Sequence, residues 1–426
     1  MSVQRNILVF PCGSEVALDI FNAVRYSRFF HLVGASSVSD HGMYVYEDYI
    51  GNLPFLNDPG FIPAIRRVVE ERAIDAIFPA MDSVISKLKE HEGELGCKVI
   101  APEIRTTSIC LEKRKTYELF ADYVPVPELY DFNSVQSFPV FIKPNIGYGG
   151  HGTRLISSKE ELSFFAAGRK DLLIMENLPG EEYTVDCFTD RKGDLLFCSA
   201  RVRNRIRNGI SVNTFFVDDQ SDFLRLGGVI NSVLSFRGAW FFQVKRNNQG
   251  RLVLMEIAPR IGGSSLLSKA IGVNLALLTL FDAFDVDVAI QKNAYEIELD
   301  RALDTKYHCK DLHYNTVYVD YDDCIILNGK IINSELIKFL YECVNEGKHI
   351  VLLTKHEGDL DSELKRFRLV GLFDEILHIA REEDKITYIS DLDSIFIDDS
   401  FSERALVQSR YGIQVFGPDM IDVLLK

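Results

Sequence analysis

No two of the eight cysteines stand at CxxC spacing; they are scattered at positions 12, 97, 110, 187, 198, 309, 324 and 343. Zinc-ribbon and thioredoxin-type readings therefore have no support, and isolated thiols fit a reducing, cytoplasmic setting. Long apolar runs are missing as well. The greasiest stretch, Ala270 to Phe284, is interrupted by Gly272, Asn274, Thr279 and Asp282, too short and too polar to span a bilayer. The opening MSVQRNILVF enters an apolar strand without the long apolar segment of a signal peptide. Positive charge is also in deficit. With 47 Lys and Arg against 62 Asp and Glu, the net charge is −15. A phosphate surface would repel the average face of such a chain, so neither nucleic acid nor an anionic membrane is expected as a partner. Internal repeats, low-complexity tracts, GxGxxG and the Walker pattern G-x-x-x-x-G-K-[ST] are all absent.

What is present is an ordinary globular mixture, 47% hydrophobic and 26% charged, which excludes a largely disordered chain. At about 150 residues per domain, the length predicts two or three domains. The first hundred residues alternate: strand 6–10, helix 16–30, strand 32–35, helix 61–72, strand 75–78, helix 82–92, strand 98–101. Strands alternating with helices imply a parallel sheet covered on both faces. From 105 to 298 glycine clusters and alternating strands mix, as in an α+β region. Residues 299–313 have no apolar period and read as a connector. After Tyr314 a fresh α/β pattern begins, with strands at 316–319, 350–353 and 395–397 and helices at 334–346 and 360–368.

The most informative stretch is 138–152, FPVFIKPNIGYGGHG. An apolar strand delivers Lys143, and glycines 147, 149, 150 and 152 follow. Glycines let backbone N–H groups converge on an anion, and the lysine adds positive charge, a combination suited to polyphosphate. The bland alternative is a flexible hairpin with an exposed lysine. Three further segments bear on the choice: Leu111 to Tyr117, which opens a helix around Lys113; Leu173 to Asp186, a strand, turn and strand containing Glu176, Asn177, Leu178 and Glu182; and Leu252 to Ser265, a strand ending in Glu256, Pro259, Arg260 and a small-residue loop. Carboxylates at strand ends are hard oxygen ligands suited to Mg²⁺, and an arginine beyond a proline turn can stabilise developing negative charge.

In this order the four segments resemble the ATP-grasp superfamily, most closely the carbamoyl phosphate synthetase large-subunit type of carboxylate ligase. The resemblance spans about residues 5–300 and implies a pre-ATP-grasp parallel α/β domain over 1–104 and an ATP-grasp domain over 105–300. It implies roles. Lys113 matches a phosphate-binding lysine, with Glu112 where Asp is usual, and Lys143 the lysine on the α-phosphate. Gly147, Gly149, Gly150 and Gly152 match a lid over the outer phosphates. Glu176, Asn177 and Leu178 match the adenine-binding hinge, and Glu182 the acid that grips ribose. Gln243 and Glu256 match metal ligands, and Arg260 the arginine that stabilises acyl-phosphate formation. The implied cofactors are ATP and Mg²⁺, with Mn²⁺ as a substitute. Ala258 stands where many members have a metal-binding Asn, which leaves a second metal in doubt. The run Arg201, Arg203, Arg205, Arg207 would share one strand face, either as a solvated basic edge or as a site for the anionic substrate or γ-phosphate.

In the last third, the segment Val317 to Cys324 gives the second signal: a strand ends in Asp320 and Asp322, another in Thr354, Lys385 follows, and a third strand ends in Asp398 and Asp399. Strand ends of a parallel sheet share one edge, and these groups suit Mg²⁺-assisted aspartyl phosphatase chemistry. The set resembles the haloacid dehalogenase (HAD) superfamily over 314–426, a Rossmann-like domain without a large cap. By that likeness Asp320 is nucleophile and metal ligand, Asp322 the general acid/base and a further member of the metal site, Thr354 and Lys385 hold the phosphoryl group, and Asp398 completes the metal site. Cys324 stands where Thr is commoner. The overall class is thus a mixed α/β and α+β multidomain chain. Three readings stay open: a ligase joining a small carboxylate to an amine, fused to an active phosphatase; the same ligase with a silent C-terminal domain; and an ATP-binding sensor without turnover. A homodimer would be in keeping with such ligases.

Overall fold

The computed structural model describes residues 3–147, 149–207, 209–303, 306–307, 309 and 312–425. Position 148 of the glycine loop, position 208 of the arginine run and connector positions 304, 305, 308, 310 and 311 lie outside the described residues. The chain divides into two compact units, Met1–Leu303 and Asp304–Lys426.

In the first unit, β1 (Arg5–Phe10), β2 (Phe30–Ala35), β3 (Asp48–Ile50), β4 (Ala76–Pro79) and β5 (Lys98–Val99) form a parallel sheet in the order β3-β2-β1-β4-β5. The central strand is covered on both faces, so Ile7, Leu8 and Val9 are all buried and the sequence shows no polar alternation there. Ser14 caps the first helix, Glu15–Val24, accepting from the Ala17 N–H. The sequence pattern carries this helix to Phe30, but it ends at Val24, because Phe30 belongs to β2, opposite Arg5. The edge strand β3 escapes the pattern because it is three half-buried residues long.

Two antiparallel sheets follow. β6 (Leu129–Tyr130), β7 (Val140–Pro144), β8 (Arg154–Ile156) and β9 (Leu172–Glu176) pair in the order β6-β9-β7-β8. β10 (Glu182–Thr189), β11 (Leu195–Arg207), β12 (Ile210–Phe216), β13 (Gly238–Arg246), β14 (Leu252–Ala258) and β15 (Glu298–Asp300) pair in the order β14-β13-β10-β11-β12-β15. The last of these takes up residues that the sequence pattern gives to the connector. One face of the larger sheet is apolar. There Trp240 stacks on Phe236 with centroids 4.0 Å apart, and its Nε1 donates to Thr189 Oγ1 at 2.8 Å.

The second unit holds β16 (Thr316–Val319), a small hairpin β17 (Ile326–Leu327) and β18 (Ile331–Ile332), β19 (His349–Thr354), β20 (Glu375–His378), β21 (Ser394–Ile397) and β22 (Gln414–Phe416). Its parallel sheet runs β20-β19-β16-β21-β22, with helices Ser334–Asn345, Leu360–Arg366 and Phe401–Tyr411 between strands. The central strand β16 is flanked by β19 and β21, so the ends of all three meet at one edge. Among the described residues of the chain, no helix is long and apolar enough to cross a membrane.

Trp240 is the chain's single tryptophan and reports on the larger antiparallel sheet. Thr189→Val leaves its indole N–H buried without an acceptor. The expected loss is about 1–3 kcal/mol, read as a lower urea midpoint in the Trp fluorescence transition.

Candidate functional site

The smaller antiparallel sheet and the polar face of the larger one meet over a line of charged groups. Lys143, at the end of β7, is buried, and its Nζ donates to the Met255 carbonyl on β14 at 3.1 Å. The same carbonyl accepts from Tyr117 Oη at 2.7 Å, and the ammonium lies 5.3 Å from the Tyr117 ring centroid. Burial drives the Lys143 ammonium down to about 7; Glu256 and Glu182 oppose this, and the neighbouring Lys113 adds to it. Lys113 opens the helix Lys113–Phe120, and its Nζ donates to the Gly147 carbonyl in the glycine loop at 3.2 Å. That loop needs its glycines for backbone reasons: Gly149, Gly150 and Gly152 all have positive φ. It also abuts the β11–β12 turn, where a Cβ on Gly209 would lie 2.1 Å from the Gly149 carbonyl carbon.

Glu176, Asn177 and Leu178, expected as a hinge, lie between β9 of the smaller sheet and β10 of the larger one. The Glu176 backbone N–H donates to Glu128 O at 3.0 Å and its carboxylate accepts from the Glu128 N–H at 3.2 Å. Asn177 is half-buried and Leu178 buried. On the polar face of the larger sheet, Thr184 stands opposite Gln243, and Gln243 opposite Glu256. Glu182 meets Arg203 Nε at 2.8 Å and Lys245 Nζ at 4.0 Å. One orientation of the Gln243 amide satisfies both its neighbours: its nitrogen donates to Glu256 Oε1 at 3.3 Å and its oxygen accepts from Arg203 Nη1 at 2.8 Å. Gln243, expected as a metal ligand, thus has its oxygen turned to a guanidinium. Ala258 is buried opposite Phe241 and offers no ligand.

Arg260 is held by a residue the sequence reading does not single out. Its Nε and Nη2 bind Asp82 Oδ1 and Oδ2 at 3.0 and 2.8 Å, a two-pronged pair across the first unit. Burial alone would lower the guanidinium; the charge and hydrogen bonds of Asp82 outweigh it and leave it raised. Asp82 begins a helix three residues beyond β4. The rule that sites form at the carboxyl ends of parallel strands is the signal that points to it. The small-residue loop after Arg260 is similarly fixed. Ser264 has φ +66° and donates from its hydroxyl to the Ser211 carbonyl. Asp19, on the first helix, is paired with Arg301 at 2.6 Å.

The arginine run does not share one face. Arg201 is sealed against Asp186 at 2.7 Å, with side-chain exposures of 1% each. Arg203 enters the charged line. A bulge between Arg203 and Arg205 then reverses the alternation, so Arg205 falls in register with Asn213 and pairs with Asp300 at 2.5 Å. Arg207 is exposed.

In the second unit, Asp320, Thr354 and Asp398 stand at or just beyond the ends of β16, β19 and β21, all buried. Lys385 Nζ lies 2.9 Å from Asp320 Oδ1 and 2.6 Å from Asp398 Oδ2. Burial raises the Asp320 carboxyl to about 6; Lys385 counteracts this and Asp398 adds to it. Asp398 is occupied twice, since its Oδ1 accepts from the Ser400 N–H at 2.8 Å. The groups that converge as a ligand set are Asp320, Cys324 and Asp399, whose ligand atoms lie within 4.8 Å of one another. Asp322 instead faces His356, with Nδ1 at 2.9 Å. His356 follows Thr354 by two residues, and neither it nor Asp399 as a ligand is evident from strand pattern alone.

A family model described as "ATP-grasp in the biosynthetic pathway with Ter operon" matches residues 168–302. The chain resembles the biotin carboxylase domain of Hydrogenobacter thermophilus 2-oxoglutarate carboxylase, solved as a dimer with MgADP, ADP and bicarbonate, at TM-score 0.58 and 16% identity; the match covers 68% of this chain and 72% of that one. It resembles Staphylococcus aureus N5-carboxyaminoimidazole synthetase, solved with ADP, at TM-score 0.57 and 15% identity, over 68% and 79% of the two chains. For the L-amino acid ligase of Bacillus licheniformis the values are 0.54 and 15%, over 66% and 74%. No curated protein matches the chain. The chain is a mixed α/β multidomain protein with an ATP-grasp fold.

Lys143 gives this site a pH signature. Its native pKa is about 7 against an ordinary 10.5, so between those values the unfolded chain binds more protons and stability rises with pH. Lys143→Met removes that dependence. Urea unfolding followed at Trp240 at pH 7 and pH 9 is expected to show wild type gaining relative to the variant, by up to roughly 1.4 kcal/mol per pH unit.

Proposed function

We propose that the first unit is an ATP-dependent carboxylate–amine ligase of the carbamoyl phosphate synthetase large-subunit type, working through an acyl phosphate. We further propose that the second unit is a HAD-type phosphatase acting on a related phosphorylated substrate or product. The observation that carries the ligase reading is the convergence of Lys113, Lys143, Glu182, Glu256 and Arg260, drawn from separate elements, on one polar face beneath a glycine loop.

In this reading the hinge Glu176, Asn177 and Leu178 takes adenine, and Glu182 takes the ribose. Lys113, Lys143 and the N–H groups of Gly147, Gly149 and Gly150 take the polyphosphate. A buried ammonium near neutrality pairs well with phosphate, because the anion repays the desolvation that the lysine already bears. A carboxylate is a poor electrophile; transfer of the γ-phosphoryl group gives it a good leaving group, which an amine then displaces. Arg260, held still by Asp82, lies where charge on that acyl phosphate is neutralised without reorganisation. Glu256 fits a divalent cation, as a carboxylate of β14 that stands opposite the neutral amide of Gln243. When bound, magnesium supplies charge neutralisation between the phosphates.

For the second unit, Asp320 attacks phosphorus, Thr354 and Lys385 hold the phosphoryl oxygens, and Asp322 moves the proton to the leaving oxygen. Asp320 and Asp399, two hard carboxylates beside Cys324, fit a divalent cation, which when bound screens the charge between Asp320 and the phosphoryl group. Lys385 already neutralises Asp320 and Asp398, so it is shared with an incoming phosphate rather than idle.

The ligase is tested with the full chain and MgATP, screening pooled amino acids and sugar acids against pooled amines for ADP and phosphate release. Turnover should depend on one acid–amine pair, fall at least about 100-fold in Glu256→Gln, and fall in kcat with little change in KM for ATP in Asp82→Ala. ATP binding without turnover in any pool would favour a sensor instead. The phosphatase is tested with a small aryl phosphate: slow Mg²⁺-dependent hydrolysis is expected, abolished by Asp320→Asn. Hydrolysis that survives that change would remove Asp320 from the chemistry.

A further inference from the structure

The charged line of the first unit holds a buried guanidinium, Arg203, that the proposed mechanism does not use. Arg203 is 8% exposed at its side chain and is held from three directions: Nε is ion-paired with Glu182 at 2.8 Å, Nη2 donates to the Gly209 carbonyl at 2.7 Å, and Nη1 lies 2.8 Å from the Gln243 oxygen in the amide orientation that satisfies both neighbours of that side chain. Thr184 Oγ1 lies within 3.4 Å of Nη1. The Gly209 turn in turn abuts Gly149 of the glycine loop, leaving no room for a side chain between them. The guanidinium is therefore built into the junction between the loop and the larger sheet.

This arrangement limits how many divalent cations the face can hold. A carboxamide binds a hard cation through its oxygen, and the Gln243 oxygen is committed to Arg203. Freeing it would set the amide nitrogen against the guanidinium, donor against donor, while the oxygen faced Glu256. Position 258, next along the face from Glu256, is an alanine. Glu182 is neutralised by Arg203 and Lys245. Among the described residues of this line, Glu256 is left as the side chain able to ligate a cation. Yet a nucleoside triphosphate brings several negative charges, and a permanent cation lies between Glu182 and Glu256.

We propose that Arg203 stands in place of a second divalent cation: the nucleotide site holds one metal ion, on Glu256, with Gln243 as a hydrogen-bonded spacer and not a ligand. The inference rests on the nucleotide-site reading above. It predicts a nucleoside triphosphate ligand carrying one inner divalent ion and its remaining charge balanced by protein cations.

The test uses the full chain, Mn²⁺ and the non-hydrolysable β,γ-imido analogue of ATP. Equilibrium dialysis counts Mn²⁺ and nucleotide bound per chain, and the Mn²⁺ bound without nucleotide is subtracted, which removes any ion held by the second unit. One nucleotide-dependent Mn²⁺ per bound analogue, with the six-line electron paramagnetic resonance spectrum of an isolated ion, is expected. Two ions per nucleotide, with a spin-coupled spectrum, would overturn the inference and leave the nucleotide site standing. No bound nucleotide would overturn the nucleotide-site reading itself, and this inference with it. A second arm restores the ligand and removes the cation together, in Arg203→Met with Ala258→Asn. If circular dichroism shows it folded and it binds the analogue, its count should rise from one to two; a count that stays at one would overturn the assignment to Arg203. Should that variant fail to fold, the wild-type count decides.

Discussion

The first unit is organised around a buried ammonium that no carboxylate touches. Among the described residues, none lies within ion-pairing distance of Lys143 Nζ, whose direct contacts are a carbonyl and the face of a tyrosine. Taking a charge out of water costs several kcal/mol unless it is paired, and the depressed pKa expresses that cost. The position is also a structural joint, since β7 of the smaller sheet reaches β14 of the larger one through that contact. A protein that accepts this cost where the two sheets meet has prepared a site for an anion. The glycine loop, Lys113 and the acids that hold the other cations in place make sense as parts of that preparation.

Lys385 makes the contrast. It is buried as Lys143 is, yet its pKa moves the other way, because Asp320 and Asp398 outweigh burial. Burial does not decide the sign; the partners do. The two lysines therefore suit different tasks. Lys143 lacks a counter-ion and would gain from a phosphate, whereas Lys385 is already satisfied and holds two acids close together. Burial, helped by the neighbouring Asp398, still lifts the Asp320 carboxyl to about 6 against the pull of Lys385.

The strands are the legible part of the sequence, because buried strands are apolar runs and a polar residue near the end of one stands out. Asp320, Thr354 and Asp398 sit at or just beyond the ends of parallel strands, and Lys143 and Glu256 lie in the last residues of antiparallel ones. Elements built from three or four residues at a sheet edge, such as β3 and β22, carry too few residues for a period to register. Pairs joined across long separations were invisible for a different reason. Asp82 and Arg260 are 178 residues apart, as are Asp19 and Arg301 by 282. Nothing local in either sequence segment announces its partner. The arginine run is the simplest case: strict alternation places four arginines on one face, and a bulge between Arg203 and Arg205 divides them.

That bulge bears on the chemistry. Without it, Arg205 would join Arg201 and Arg203 on the polar face and add a third guanidinium beside Glu182, Asp186 and Glu256. With it, Arg201 is neutralised by Asp186, Arg205 is sent to Asp300, and Arg203 alone remains beside Glu182 and Gln243. One fixed guanidinium can hold an amide oxygen in a set direction. The alanine at 258 completes the logic, since a metal ligand there would compete for the space and charge that Arg203 already supplies. Backbone irregularity, an absent ligand and a committed amide are thus three expressions of one electrostatic solution, in which protein-borne charge replaces an ion that would have to be recruited from solvent.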